Sequence, residues 1–437
     1  MSQGKISFKG YIVGEGRSGT TLFSAMLNRH SEICVTPETH FYRWISLYSG
    51  GPSGFISNYP ESLREIFKYM NSTSVWTPDP KPIIRKYPTI RSVNDINLLF
   101  LAMGDLIAKQ INKTFWLEKT PSHIRNIPLI DQLHPGQKVI CIVRDGRAVA
   151  ESLTRMDWAS NDYIENCLRW LFTMRIYQRF LEDRANTLTI RYEDIVNYTV
   201  VSLKRVCTFL EVSYESSMLK QSTKDAYLIE SGHQHKNKIM GEIDPSNIDL
   251  WKNQISRENI IYSEHLLGSE LKKWGYETSI SSLANKNRIL ISPFPPSNQT
   301  HHIIGNFVRD LLKTEPDLWL DNTINIGEKV VKLPLYWFQF EELLPARFSE
   351  QENQKSNRYF YTALFNLTKI LLNKKTRFVL YYHPKHYDNC RWRKKRLIIA
   401  FAIRAAWKII VPMNDYSSLE QCYGTIKPRQ KYAVQPN

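Results

Sequence analysis

A run of apolar residues, Phe8 to Val13, passes without a break into Gly14-Glu15-Gly16-Arg17-Ser18-Gly19-Thr20-Thr21, and a helical pattern follows at once. Glycines let a backbone turn tightly enough for several N–H groups to converge on one anion at the positive end of a helix. Strand, loop and helix in this order predict a phosphate-binding site on a parallel α/β sheet. The loop fits two templates. As G-x-x-x-x-G followed by Thr-Thr it is a Walker-type loop in which Thr20 replaces the lysine. That lysine reaches the β- and γ-phosphates of a nucleoside triphosphate, so its absence argues against a kinase or ATPase. As G-x-G-x-x-G, with Glu38 about twenty residues on, the loop also fits a dinucleotide fingerprint.

The chain has 437 residues, more than one core usually covers, so two domains are expected. Short apolar runs alternate with helical patterns through the first part, the mark of a parallel α/β sheet. Strands are predicted at Phe8–Val13, Ile33–Thr36, Thr114–Leu117, Lys138–Val143 and Thr187–Arg191. Helices are predicted at Thr20–Arg29, Asn94–Ile111, Arg147–Arg155, Asn161–Glu182 and Val200–Leu210. Ser, Asn and Pro concentrate between 277 and 300, which reads as a boundary between a domain over 1–280 and one over 285–437. Helical patterns at 303–313, 359–372 and 391–411, with a strand at 376–382, predict that the second domain is smaller and mainly helical.

The apolar strand at Lys138–Val143 ends in Arg144-Asp145-Gly146-Arg147-Ala148, with Ser152 on the helix that follows. Ligands of α/β sheets bind at the carboxyl ends of strands. A guanidinium there suits bidentate capture of a phosphate, and the Ser152 hydroxyl adds a donor. Taken alone, the two residues fit a strand–helix turn equally well.

In combination the segments resemble a known family. GRSGTTL at 16–22 is similar to the 5′-phosphosulfate loop of sulfotransferases, and IVRDGRAVAESL at 142–153 to their 3′-phosphate segment. Between them lie Pro37-Glu38-Thr39-His40 and Leu117-Glu118-Lys119-Thr120-Pro121, in the order that family shows. The resemblance is strongest to the tyrosylprotein sulfotransferases and the broad bacterial sulfotransferase group, and covers roughly residues 8–276. It implies an α/β fold with a phosphate-loop parallel sheet flanked by helices, and 3′-phosphoadenosine 5′-phosphosulfate as the sulfuryl donor, without a metal.

By the same resemblance, Arg17 contacts the phosphosulfate, with Ser18, Gly19, Thr20 and Thr21 around it, and Arg144 and Ser152 hold the 3′-phosphate. Glu38 falls at the position of the acidic catalytic base and Lys119 at that of a catalytic lysine; Tyr192 corresponds to a tyrosine near the nucleotide. Trp251-Lys252-Asn253 resembles a late segment of cytosolic sulfotransferases, but the Arg-Lys-Gly run that accompanies it there is missing. Arg17, Lys119 and the loop N–H groups are expected to stabilise charge on the leaving side, and Glu38, with a raised pKa, to take the acceptor's proton. His40 and His123 are alternative bases.

The acceptor is expected to be a carbohydrate or small hydroxyl metabolite first, and a peptide tyrosine second. Two other readings stay open: a dinucleotide-dependent oxidoreductase, and a non-catalytic nucleotide-binding fold with an anion-binding tail. Residues 1–280 carry 34 basic and 30 acidic side chains, whereas 369–437 carry 15 and 3. So basic a tail suggests peripheral contact with an anionic membrane or an acidic glycan rather than nucleic acid. The helical pattern through Arg396–Ile410 suits such a surface. Six cysteines without a C-x-x-C pair suggest reduced thiols, hence a cytoplasmic location, and no secretory signal or membrane span is read at the N-terminus. His383, His386 and Cys390 lack an evident fourth partner for a zinc site.

Overall fold

The computed structural model describes residues 6–48, 51–73, 78–220 and 244–279, together with strand segments between 288 and 434. Packing divides the chain into two compact units, one of residues 1–153 and 173–254, the other of 154–172 and 255–437. The boundary expected at 280–285 lies outside the described residues.

The first unit is built on five parallel strands: β1 (Ser7–Gly14), β2 (Ile33–Val35), β3 (Phe115–Lys119), β4 (Val139–Val143) and β5 (Thr187–Arg191). Their order across the sheet is β2-β3-β1-β4-β5. All five residues of β4 are buried, as its unbroken Val-Ile-Cys-Ile-Val run requires of a central parallel strand. The chain leaves β1 towards β2 on one side and reaches β4 on the other, so the carboxyl end of β1 is a switch point where a crevice opens. Register fixes what lies there: Ile12 pairs with Lys119 of β3, and Gly14 with Ile142 of β4.

Helix α1 (Thr20–Asn28) follows β1 directly. The link from β2 to β3 holds α2 (Phe41–Leu47), α3 (Pro52–Ser57), α4 (Glu61–Thr73), α5 (Lys81–Lys86) and α6 (Val93–Gln110). The start of α6 is set by a capping box, in which Ser92 Oγ accepts from Asp95 N at 3.2 Å and Asp95 Oδ2 accepts from Ser92 N at 2.8 Å. Further on come α7 (Ile127–Leu133), α8 (Gly146–Leu153), α9 (Tyr163–Phe180), α10 (Tyr192–Asn197) and α11 (Thr199–Leu210). A mainly aliphatic core joins Met26 and Leu27 of α1, with Phe23, to Ile140, Ile142 and Ile190 of the sheet and Leu203 and Val206 of α11. A second cluster is aromatic: Phe8, Tyr11, Tyr42, Phe100 and Trp116 meet ring to ring.

In the second unit, α12 (Arg257–Lys273) precedes β6 (Arg288–Ser292), β7 (Trp319–Leu320), β8 (Thr323–Ile326), β9 (Lys329–Lys332), β10 (Thr376–Tyr381), β11 (Lys408–Pro412) and β12 (Lys431–Val434). Five of these form a parallel sheet of order β12-β11-β10-β6-β7, and β8 and β9 pair antiparallel. β10 is the strand expected at 376–382. The parallel sheet adds a β framework that the helical patterns did not announce, and β11 cuts into the helix expected over 391–411. An apolar run that ends in a strand reads like a continuing helix when periodicity is the only guide. The patterns at 303–313 and 359–372 lie outside the described residues, as do His383, His386 and Cys390. Among the described residues no helix is long and apolar enough to cross a membrane.

Candidate active site

The β1–α1 loop is shaped by two left-handed residues, Arg17 at φ 70° and Gly19 at φ 88°. Gly19 caps α1 without a side-chain hydrogen bond, so the first N–H groups of the helix face outward from a bare end. A methyl group at Gly19 would lie 2.3 Å from Cδ2 of Tyr192, so this ring closes directly on the loop. The Arg144 guanidinium lies 4.4 Å from the centre of the same ring, and its Nη1 donates to the Arg17 carbonyl at 3.1 Å. Arg17 Nε in turn donates to Ser152 Oγ at 3.0 Å. Ser18 is buried and its Oγ has no hydrogen-bond partner, an orphaned donor of the kind a bound anion satisfies. Thr20 is buried and Thr21 half-buried at the head of α1. The structure therefore brings Arg17, Ser18, Gly19, Thr20, Thr21, Arg144, Ser152 and Tyr192 together at the carboxyl edge of β1, β4 and β5. Two guanidinium groups, four serine and threonine hydroxyls and a helix start fit a ligand with phosphate at two places.

On the β3 side, Lys119 Nζ donates to Glu38 Oε1 at 2.8 Å, and His40 Nε2 stands 3.3 Å from Glu38 Oε2. Burial pushes the Glu38 carboxyl up, but Lys119 and His40 outweigh it, and the net effect holds it well below the usual carboxylate range. The raised pKa expected of a base is thus corrected: the neighbouring cation decides the sign. His123 is fully buried, with Nδ1 against Glu118 Oε2 at 2.8 Å, and this removes it as a base. His40 is half-buried beside Glu38 and remains within reach of the same site.

Three features escaped the sequence reading. Glu15, inside the loop, is buried; its Oε1 accepts from Gly16 N at 3.0 Å, and Arg125 donates to its Oε2 at 2.6 Å. A buried carboxylate in an anion-binding loop is tolerable because Arg125 and the Thr173 hydroxyl compensate it. Arg147 is paired with Asp145 at 2.8 Å and lies 4.5 Å from the centre of the Trp251 ring. Asn247 gives its carbonyl to Arg144 Nη2 at 3.4 Å. The Trp251 segment is therefore docked on the β4–α8 turn although the Arg-Lys-Gly run is missing. Arg147, inside the Arg-Asp-Gly-Arg stretch, was the available signal; the partners of Glu15 had none. Among the described residues no group of His, Cys, Asp and Glu is placed to hold a metal ion.

The model of the sulfotransferase family matches residues 11–216. Protein-tyrosine sulfotransferase A of Caenorhabditis elegans is 24% identical over 224 residues, which cover 48% of this chain and 51% of that protein. Protein-tyrosine sulfotransferase 2 of Gallus gallus is 24% identical over 276 residues, 60% of this chain and 62% of that one. The chain thus spans less than two thirds of the length of these relatives. Among solved structures, the sulfotransferase domain from the Synechococcus PCC 7002 olefin synthase aligns with a TM-score of 0.45 at 21% identity, covering 63% of this chain and 98% of that one.

Proposed function

We propose, since the sulfotransferase family model matches residues 11–216, that this protein moves a sulfuryl group from 3′-phosphoadenosine 5′-phosphosulfate to a hydroxyl acceptor. One observation carries the reading: the anion cradle of Arg17, Ser152 and Arg144 shares a sheet edge with the Lys119–Glu38 pair. In this reading Arg17 to Thr21 hold the 5′ side of the donor, Arg144 and Ser152 hold its 3′-phosphate, and Tyr192 lines the nucleotide. The donor supplies an activated sulfuryl group already attached to a good leaving group.

The work left to the chain is alignment and charge. Glu38 accepts the proton of the acceptor hydroxyl as the oxygen bonds to sulfur and the bond from sulfur to the leaving phosphate oxygen breaks. A carboxylate held this acidic takes a proton only when its cation is drawn elsewhere. Negative charge growing on the leaving oxygen draws Lys119 in that way, so one lysine couples the two halves of the transfer. Arg17 and the loop N–H groups stabilise the same developing charge.

A carbohydrate or small hydroxyl metabolite is the first acceptor class and a peptide tyrosine the second, the latter favoured by the names of the relatives. The oxidoreductase reading leaves the Arg144 and Lys119 segments without a role. Thermal unfolding with adenosine 3′,5′-bisphosphate, ATP and NAD at equal concentration tests the donor class. We expect the bisphosphate alone to raise the midpoint, by an amount set by its concentration over Kd, and Arg144→Ala to abolish the rise. A larger rise with ATP or NAD would overturn the reading.

A further inference from the structure

We infer that Glu118 is the positioning residue of this site, holding the proposed base Glu38 in register with Lys119 through a buried hydroxyl network; the inference rests on the function proposed above. Glu118, Thr39, Thr120 and His123 are all fully buried. Thr120 Oγ1 accepts from Thr39 N at 3.0 Å and from His40 N at 3.3 Å. Thr39 Oγ1 accepts from Phe41 N at 3.2 Å. A hydroxyl has one proton to give. With their lone pairs engaged by backbone N–H groups, both hydroxyls direct that proton to Glu118 Oε1, at 2.6 Å from Thr120 and 2.8 Å from Thr39. His123 Nδ1 meets the other oxygen at 2.8 Å. Every proton in the network therefore points at Glu118, which acts as an ionised acceptor. Burial pushes its carboxyl up, yet His123 and the two hydroxyls bring it below its usual value.

The consequence falls on the loop after β2. Thr36 N donates to Leu117 O at 2.9 Å, and past that point the Thr120 hydroxyl takes over as the tie between the loop and β3. It grips the two N–H groups that directly follow Glu38, and holds His40 in a left-handed conformation at φ 49°. Such strain persists where the surroundings over-determine the backbone. Glu118 and Thr120 share one face of the strand and Lys119 points to the other. The Glu118 and Thr120 face of this segment thus orients the pair that Lys119 makes with Glu38 from the opposite face.

Thr120→Val keeps the side-chain shape and removes both hydrogen-bonding roles, whereas Thr120→Ser keeps them. With an acceptor that the wild type turns over, Thr120→Val should lower kcat about 10- to 100-fold, as a small misplacement of a reacting group does. KM for the donor and the midpoint shift with adenosine 3′,5′-bisphosphate should stay unchanged, and Thr120→Ser should restore most of kcat. Glu118→Gln, which turns an amide donor towards hydroxyl donors, should behave like Thr120→Val. If Thr120→Val does not fold, Thr39→Val against Thr39→Ser reads the same network from its other hydroxyl. Acylation of Lys119, followed by peptide mass spectrometry, needs no turnover: it should speed up several-fold in Thr120→Val as the pair with Glu38 loosens, and return towards wild type in Thr120→Ser. Wild-type protein without sulfuryl transfer would sink the functional reading alone, with the acylation rates still deciding the network. Wild-type kcat and wild-type Lys119 reactivity in Thr120→Val would overturn the positioning role.

Discussion

Lys119 is 4% exposed and Glu38 17%, so neither charge is well tolerated without the other. Removing one partner of such a pair leaves an uncompensated buried charge, at a cost of about 3–5 kcal/mol. Glu38→Gln should therefore destabilise the protein by about 3 kcal/mol, and Lys119→Met in the same chain should recover part of the loss. The pH dependence has a definite sign. Because the folded state holds the Glu38 carboxyl below its unfolded value, the pair's contribution is present above the ordinary glutamate pKa of about 4.3 and is lost as pH falls from there towards the folded value. Denaturant unfolding across that range, for wild type and Glu38→Gln, checks it: identical acid dependence in the two proteins would contradict the pairing. Glu38 and Lys119 were legible as residue types beside telling neighbours. The sign of the Glu38 shift was not, because it depends on a lysine 81 positions away in sequence. Glu15 and Arg125, 110 positions apart, were illegible for the same reason.

At the scale of elements, the central strand Val139–Val143 was readable because buried parallel strands are short, apolar and β-branched, and the edge strand Thr187–Arg191, with only Ile190 buried, still begins and ends where its pattern does. Helix α6 was readable from its period alone; its Ser92–Asp95 box sets a start at Val93. Helices α2, α3 and α5 hold only six or seven residues each, too few for a period to stand out, whereas α4, with thirteen, was long enough and is not among the predicted helices. The loop–helix junction allows a sharper test. Gly19 combines a left-handed φ with the Tyr192 ring where a Cβ would go. Gly19→Ala is expected to displace the ring and the loop together and remove the midpoint shift with adenosine 3′,5′-bisphosphate. Gly19→Ala with Tyr192→Leu should regain part of the shift by opening space. An unchanged shift in the single variant would show that the loop does not depend on this contact.

For the whole molecule, the charge is divided as unevenly as the sequence patterns are: 369–437 holds 15 basic against 3 acidic residues. We propose an anionic surface as its partner, together with a cytoplasmic location. Sedimentation with vesicles of anionic lipid should show binding that falls steeply between low and physiological salt, and none with uncharged lipid. Binding indifferent to salt would refute an electrostatic tail. The second sheet was hidden from the sequence reading because only the strand at 376–381 stood out; a two-residue strand such as Trp319–Leu320 carries no period of its own. The two units also interleave along the chain, since residues 154–172 pack with residues from 255 onward while 173–254 return to the first unit. On the ribosome this imposes an order of events. The first sheet has all its strands once β5 emerges, but residues 154–172 belong to a unit whose remaining residues, from 255 onward, are made later. Until then the nascent chain holds 154–172 without the rest of its unit, an interval in which a chaperone has a segment to bind.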